Sequence, residues 1–135
     1  MIFVDTGFFL AVSQPRDALH ARATAWAQAV TEPLLVTEYV LWETVNGLSK
    51  SVDRPRAHLL LRQVRSGVGW SVVPASAELL EAGLRLHAER ADKDWSLTDC
   101  ASFIVMRERG ILRALTYDHH FEQAGFEALL RLDPP

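Results

Sequence analysis

The sequence predicts an α/β fold with a short, mostly parallel central sheet flanked by helices. Short apolar runs alternate along the chain with longer stretches of helical period, which is typical of strands joined by crossover helices. The first run is continuously apolar, as in strands that are buried on both faces of a parallel sheet. With 135 residues, 49% of them hydrophobic, the chain can build one core, and we predict a single domain over residues 1–135.

Five apolar runs predict the strands. The first, IFVD, begins one residue after the start of the chain and leads directly into a stretch of helical period. We predict strands over residues 2–5, 34–37, 70–73 and 111–116, and an edge strand over residues 127–132.

Capping residues mark where most of the predicted helices begin. Asp17, Thr37 and Ser76 each precede a helical stretch and can accept a hydrogen bond from its first free N–H groups. We predict helices over residues 6–12, 17–30, 37–50, 53–67, 76–91 and 96–110.

Two of these helices have signals at both ends. Asp53 is followed by a proline in the first turn, and Gly67 stands where a glycine commonly ends a helix. Ser96 and Asp99 have the spacing of a capping box, and the helix that they begin ends at Gly110.

The composition excludes several classes of protein. A single cysteine, Cys100, excludes an internal disulfide framework and a cysteine-rich zinc module, which fits a reducing compartment. The first residues lack the basic region of a signal peptide, and no apolar run approaches the roughly 20 residues of a membrane span. We expect a cytoplasmic protein that does not associate with a membrane.

The charge balance gives no sign of a broad basic surface for binding phosphates. The formal net charge is −3, from 14 basic and 17 acidic residues. One stretch is nevertheless basic and has only Asp53 to oppose it; its arginines are Arg54, Arg56, Arg62 and Arg65. It is either a solvated helix face or a rim that contacts phosphates.

Four acidic residues lack the helical ion-pair partners that account for many of the others. Glu43 and Asp99 have no basic residue three or four positions away, and Asp5 and Asp118 follow apolar strands, in IFVD and ALTYD. Ligands of open parallel sheets gather beyond the carboxyl ends of strands. If the four carboxylates converge there, they need a cation, and all-oxygen ligation suits Mg²⁺ or Mn²⁺. Each acid taken singly is explained as a cap, a turn or a surface residue, so the hypothesis depends on all four.

The order of these acids and the residues around them resemble the PIN-domain ribonucleases, in particular the VapC-type toxins of toxin–antitoxin pairs. The similar segments cover nearly the whole chain and are IFVDTGFFLAV, TEYVLWETVNGLSK, KDWSLTDCASFIVM and LTYDHHFEQAGF. The resemblance implies a PIN-like fold and a metal-dependent endoribonuclease that cuts single-stranded RNA. It makes Asp5, Glu43, Asp99 and Asp118 the acids that hold Mg²⁺ or Mn²⁺.

The resemblance also implies supporting residues and partners. Thr116 would help to place a metal-bound water, Thr6 would orient a carboxylate, and Asp94 is a weaker candidate nearby. A homodimer and a cognate antitoxin, whose C-terminal segment would lie in the cleft, are expected as well. The alternative is a non-catalytic PIN-like module that docks a partner protein or RNA, with the acids binding an arginine of an antitoxin or adaptor.

The sequence leaves the aromatic and histidine side chains with less specific roles. Trp26 and Trp42 are expected to pack in the core, and Trp95 either packs there or stacks on a base. His119 and His120 are expected to cap a helix or to contact RNA at the surface, since neighbouring residues rarely point the same way.

Overall fold

Seven helices flank a five-stranded sheet in the computed structural model, which describes residues 1–135. The strands are β1 (Ile2–Val4), β2 (Leu34–Thr37), β3 (Trp70–Val73), β4 (Arg113–Leu115) and β5 (Glu127–Ala128). The helices are α1 (Thr6–Ser13), α2 (His20–Ala29), α3 (Glu38–Gly47), α4 (Arg54–Ser66), α5 (Ala77–Glu89), α6 (Leu97–Arg109) and α7 (His119–Gln123). A 3-10 helix, Leu129–Arg131, follows β5.

All strand pairs are parallel, in the order β3-β2-β1-β4-β5. The chain builds the sheet outward from β1 to β3, and then returns to the other side of β1 for β4 and β5. This reversal separates the connections that leave β1 and β4, and it opens a crevice at their carboxyl ends. The predicted α/β class with a parallel sheet is confirmed.

The two strands after residue 110 are shorter than predicted. The fourth strand, predicted over residues 111–116, has only the three residues of β4. In place of the edge strand predicted over residues 127–132, the structure has the two-residue strand β5 followed by the 3-10 helix. Leu129 and Leu130 are both buried. Successive residues of a strand point to opposite faces, so a tight helical turn is what brings both leucines into the core.

Capping hydrogen bonds confirm the predicted starts of α3, α5 and α6. The hydroxyls of Thr37 and Ser76 accept from backbone N–H groups of α3 and α5, at 3.2 and 3.0 Å. Ser96 and Asp99 form the reciprocal capping box of α6, and Gly110 ends that helix with a φ of 66°. A left-handed residue at a helix end favours glycine, because glycine has no Cβ.

Asp17 and Asp53 make no capping hydrogen bond, because their carboxylates are used elsewhere, and of the two only Asp53 has the predicted N-cap position. Asp17 accepts from the backbone N–H of Leu19 at 2.8 Å and closes a turn, so that α2 begins only at His20. Asp53 occupies the N-cap position of α4, but its carboxylate pairs with Arg56. The donor to Asp17 is a backbone N–H only two residues away, and the donor to Asp53 is a charged guanidinium. Each takes the place of the helix N–H groups that a cap would bind.

An aromatic cluster packs beneath the carboxyl end of the sheet. The ring of Phe103, on α6, meets Trp95 and Phe121 edge to face, each with a centroid separation of 4.9 Å. Phe121 belongs to α7 and also lies 6.2 Å from Phe3 of β1. Fully burying each such ring contributes about 1.5–3 kcal/mol, so the cluster holds the starts of α6 and α7 against the sheet.

The tryptophans are distributed differently from the prediction. Trp26 and Trp95 are buried, but Trp42 is 75% exposed. Trp42 lies on α3, whose buried residues, among them Leu41 and Thr44, occupy the opposite face. Cys100 is a buried free thiol, as expected of a small core residue.

None of the helices combines the length and apolar character that a membrane span requires.

Candidate metal centre

The carboxyl ends of β1 and β4 bring two of the predicted acids together. Asp5 comes directly after β1, and Asp118 lies three residues beyond β4, the neighbouring strand. The backbone N–H of Asp5 donates to the carbonyl of Leu115 at 3.2 Å, which continues the strand pairing up to the first acid.

Two helices supply the other acids from the flanking layers. Glu43 lies in α3, and Asp99 lies in the first turn of α6, where the capping box fixes its side chain. All four acids line one cleft of about 520 Å³. The other lining residues are Thr6, Gly7, Leu19, Asp94, Ser96, Tyr117, His119, His120 and Arg131.

Asp5 is the most strongly perturbed group of the cleft. Its pKa is raised from 3.8 to about 7, chiefly by burial and in smaller part by the negative charges of Asp99 and Glu43. The hydrogen bond from Thr116 and the backbone of Thr6 oppose this rise. Without a cation, the folded protein therefore favours a protonated Asp5 below about pH 7.

Asp99 is perturbed in the same direction. Burial raises its pKa, and the charge of Asp118 adds to the effect, while hydrogen bonds from Ser96 and His120 oppose it. The carboxylates thus repel one another in a partly desolvated cleft, and a divalent cation would relieve this repulsion.

Thr116 lies beneath the cleft and connects two of its acids. Its hydroxyl donates to Oδ2 of Asp5 at 2.9 Å and accepts from the backbone N–H of Asp118 at 3.1 Å. Thr116 is buried and does not line the cleft. The structure shows a positioning contact with Asp5, and the placing of a metal-bound water by Thr116 stays a prediction.

In each of the three aspartates, the hydrogen bonds from the protein leave one carboxylate oxygen free. Asp5 accepts through Oδ2, Asp99 through Oδ2 and Asp118 through Oδ1. Oδ1 of Asp99, Oδ2 of Asp118 and both oxygens of Glu43 accept no hydrogen bond from the protein, and Oδ1 of Asp5 accepts none from a side chain. None of these oxygens is a buried orphan, so they remain accessible from the cleft. This donor set fits a hard divalent cation, which prefers oxygen ligands.

Thr6 contacts the Asp5 carboxylate through its backbone. Its hydroxyl contacts no carboxylate and is the only buried side-chain polar atom without a hydrogen-bond partner. It also lines the cleft. Buried polar groups are almost always paired, so this hydroxyl marks a place where a ligand of the cleft can complete the bonding.

The remaining predicted residues lie at the edge of the cleft. Asp94 is exposed on its rim and forms no ion pair. Among the arginines, Arg54 and Arg56 hold the carbonyls of Ser49 and Ser13. Arg65 lines a neighbouring groove that Glu43 also borders, whereas Arg62 lines a separate groove on α4 that does not include any of the four acids.

Sequence reasoning missed two contributors to the cleft. The imidazole of His120 lies between Asp99 and Asp118, at 3.1 and 3.3 Å, instead of at the outer surface. Arg131 brings a cation to the rim, where it lies over the ring of Tyr117 at 4.4 Å. His120 follows an acid that was already singled out, so its position was a usable signal, whereas Arg131 lies in the segment that was predicted to be an edge strand.

Comparison with known proteins identifies the family. The PIN domain family matches residues 2–127 of the chain. The 23S rRNA-specific endonuclease VapC20 from two strains of Mycobacterium tuberculosis is 31% identical over 126 residues, which cover 93% of this chain and 95% of the relative.

Solved structures agree with the sequence match. The crystal structure of Mycobacterium tuberculosis VapC20, described as a sarcin-ricin loop cleaving toxin, superposes with a TM-score of 0.84 and 29% identity. The superposition covers 93% of this chain and 96% of that one. FitAcB from Neisseria gonorrhoeae shares the fold at a TM-score of 0.66 and 17% identity, over 95% of each chain. The chain therefore belongs to the PIN domain family and is a VapC-like member of it.

Proposed function

We propose that this protein is an endoribonuclease that hydrolyses RNA phosphodiester bonds with Mg²⁺ or Mn²⁺, and that it is the toxin of a toxin–antitoxin pair. The observation that carries the proposal is the set of free carboxylate oxygens of Asp5, Asp99 and Asp118 around one cleft. Glu43 completes the set from α3. The similarity to VapC20 supports the choice of RNA as the substrate.

The four acids would hold the cation, and their neighbours would keep them in place. A divalent cation bound there lowers the pKa of a bound water and stabilises negative charge on the scissile phosphate. Thr116 holds the Asp5 carboxylate, and the capping box holds that of Asp99. Hydrolysis adds the water oxygen to phosphorus and breaks the bond to the 3′ oxygen, which takes up a proton. The products carry 5′-phosphate and 3′-hydroxyl ends.

The charge distribution is compatible with a polyanionic substrate. Apart from the four proposed metal ligands, the chain has 13 acidic and 14 basic residues. The excess of acidic residues therefore comes from the proposed metal centre. Arg131, which lines the cleft, and Arg65, which lines the adjoining groove, are the cations that would contact phosphates of the bound RNA. The sarcin-ricin loop is the first RNA to test, because VapC20 is described as cleaving it.

RNA digestion with mapped product ends tests the proposal. The purified protein should cut RNA in Mn²⁺ or Mg²⁺ and stop when a chelator is added. Asp99→Asn should fold but lose cleavage, whereas Asp133→Asn, a surface change outside the cleft, serves as the matched control. Cleavage by Asp99→Asn at the rate of the parent chain would overturn the assignment of the site. RNA binding without cleavage by the parent chain would favour the non-catalytic binding module.

The assembly and location of the protein remain predictions. A cognate antitoxin, a homodimer and a cytoplasmic location are expected for a VapC-like toxin. Light scattering on the purified chain measures its molar mass and so tests the predicted homodimer. The predicted antitoxin is tested by asking whether the candidate partner protein inhibits RNA cleavage.

A further inference from the structure

His120 joins two acids that come from different parts of the fold. It is the second residue of α7, and its side chain is 18% exposed. Asp99 belongs to α6, while Asp118 precedes α7. The imidazole therefore connects the helical layer with the end of the central sheet.

A single ring nitrogen makes both contacts. Nδ1 of His120 lies 3.1 Å from Oδ2 of Asp99 and 3.3 Å from Oδ1 of Asp118. Ionised carboxylates only accept hydrogen bonds, so Nδ1 carries the hydrogen and donates it to Oδ2 of Asp99, while Oδ1 of Asp118 lies beside the same nitrogen as a charge contact. The backbone N–H of His120 donates to the same Oδ1 of Asp118 at 2.9 Å, which attaches that carboxylate at two points.

These contacts leave the other oxygens of both acids free. Oδ2 of Asp99 also accepts from the backbone N–H of Ser96, so neither Oδ1 of Asp99 nor Oδ2 of Asp118 has a partner within the protein. His119, by contrast, is 59% exposed, lies 3.6 Å from Asp118 and does not reach Asp99.

We infer that His120 is a positioning residue that sets the separation and orientation of the Asp99 and Asp118 carboxylates for a shared divalent cation. The inference rests on the proposed function, since it concerns the same metal centre. His120 acts through the acids and is not itself a ligand of the cation. Groups that orient metal ligands in this way typically change metal affinity or activity by about 10–100-fold when they are removed.

Binding of Mn²⁺ alone, measured by electron paramagnetic resonance without RNA, tests the inference. His120→Ala should weaken Mn²⁺ binding by about 10–100-fold. His120→Asn should retain most of the affinity, because its amide nitrogen occupies the place of Nδ1 and can donate to both carboxylates. His87→Asn, on the exposed face of α5 outside the cleft, is the matched control. Circular dichroism checks that each variant is folded.

Two outcomes overturn the inference alone. If His120→Ala binds Mn²⁺ as tightly as the parent chain, the imidazole does not position the acids. If His120→Asn loses as much affinity as His120→Ala, the ring ligates the ion directly. Should His120→Ala fail to fold, His120→Gln replaces it, because its amide lies one methylene further out. A parent chain that binds no Mn²⁺ overturns the proposed function together with this inference.

Discussion

Replacing Asp5 with asparagine should stabilise the metal-free protein while it abolishes the metal centre. The folded protein raises the pKa of Asp5 from 3.8 to about 7, chiefly through burial. The contribution of protonated Asp5 to the free energy of unfolding is therefore fully present below pH 3.8. It is lost as the pH rises through about 7 and Asp5 ionises in the folded protein. Asparagine is neutral at every pH, has nearly the same shape, and can accept the hydrogen bond from Thr116.

The size of the effect follows from the two pKa values. At about 1.4 kcal/mol for each pH unit, ionised Asp5 costs the folded state about 4 kcal/mol at about pH 8. At about pH 5 the same relation gives about 2 kcal/mol, because Asp5 is then protonated in the folded protein and ionised only in the unfolded chain. The advantage of Asp5→Asn should thus grow by roughly 2–3 kcal/mol between these pH values.

Urea unfolding in the presence of a chelator measures this difference. Asp133→Asn is the control, because the Asp133 side chain is 92% exposed. Its free energy of unfolding should stay within about 0.5 kcal/mol of that of the parent chain at both pH values. The reasoning is refuted if Asp5→Asn is no more stable than the parent chain at about pH 8, or if its advantage does not change with pH.

Adding Mn²⁺ should reverse the order of stability. A ligand that binds only the folded state stabilises it, and the parent chain retains the full set of carboxylates. Asp5→Asn should show little stabilisation by Mn²⁺ in the same urea experiment. Equal stabilisation of both proteins would show that the ion binds elsewhere.

Three further substitutions, two of them with a matched control variant, test the supports of the cleft and the fold. Thr116→Val removes the hydroxyl that donates to Asp5, so it should destabilise the protein by about 1–3 kcal/mol and slow RNA cleavage. Thr116→Ser keeps a hydroxyl and should restore both the stability and the cleavage rate. If Thr116→Ser restores neither, the hydroxyl does not hold Asp5. Phe103→Ala should cost about 3–5 kcal/mol in urea unfolding, since the ring is buried among aromatic neighbours, and a loss below about 1 kcal/mol would contradict that packing. Gly110→Ala should cost about 1 kcal/mol through its positive φ alone, because no atom lies within 4 Å of the added Cβ. Gly7→Ala, equally uncrowded but without a positive φ, should not be destabilising in thermal unfolding.

Local signals in the sequence were sufficient for much of the fold. The strands before residue 75 and the capping box of Ser96 and Asp99 depend on neighbours along the chain, and the structure has them where they were predicted. Asp17 and Asp53 have the right residue type for a cap, but each carboxylate found another donor. Composition alone does not decide between such donors.

The features that the sequence did not predict depend on distant contacts. Trp42 lies in a helix with apolar residues on several sides, so periodicity could not tell which face meets the core. The order of strands in the sheet was likewise not predictable from the runs themselves. The convergence of the four acids was expected. The place of His120 between Asp99 and Asp118, however, follows from the packing of Phe103 of α6 against Phe121 of α7.

The central position of β1 determines when a growing chain can complete its cleft. β1 is synthesised first, yet one of its two neighbours is β4, and the hydrogen bond that fixes Asp5 joins residues 111 positions apart. Until β4 and Asp118 have been made, one wall of the cleft does not exist and the carboxylate of Asp5 has no hydroxyl to hold it. The ribosome must therefore have passed Asp118 before the acids can meet, and fragments that end before this residue lack a complete site.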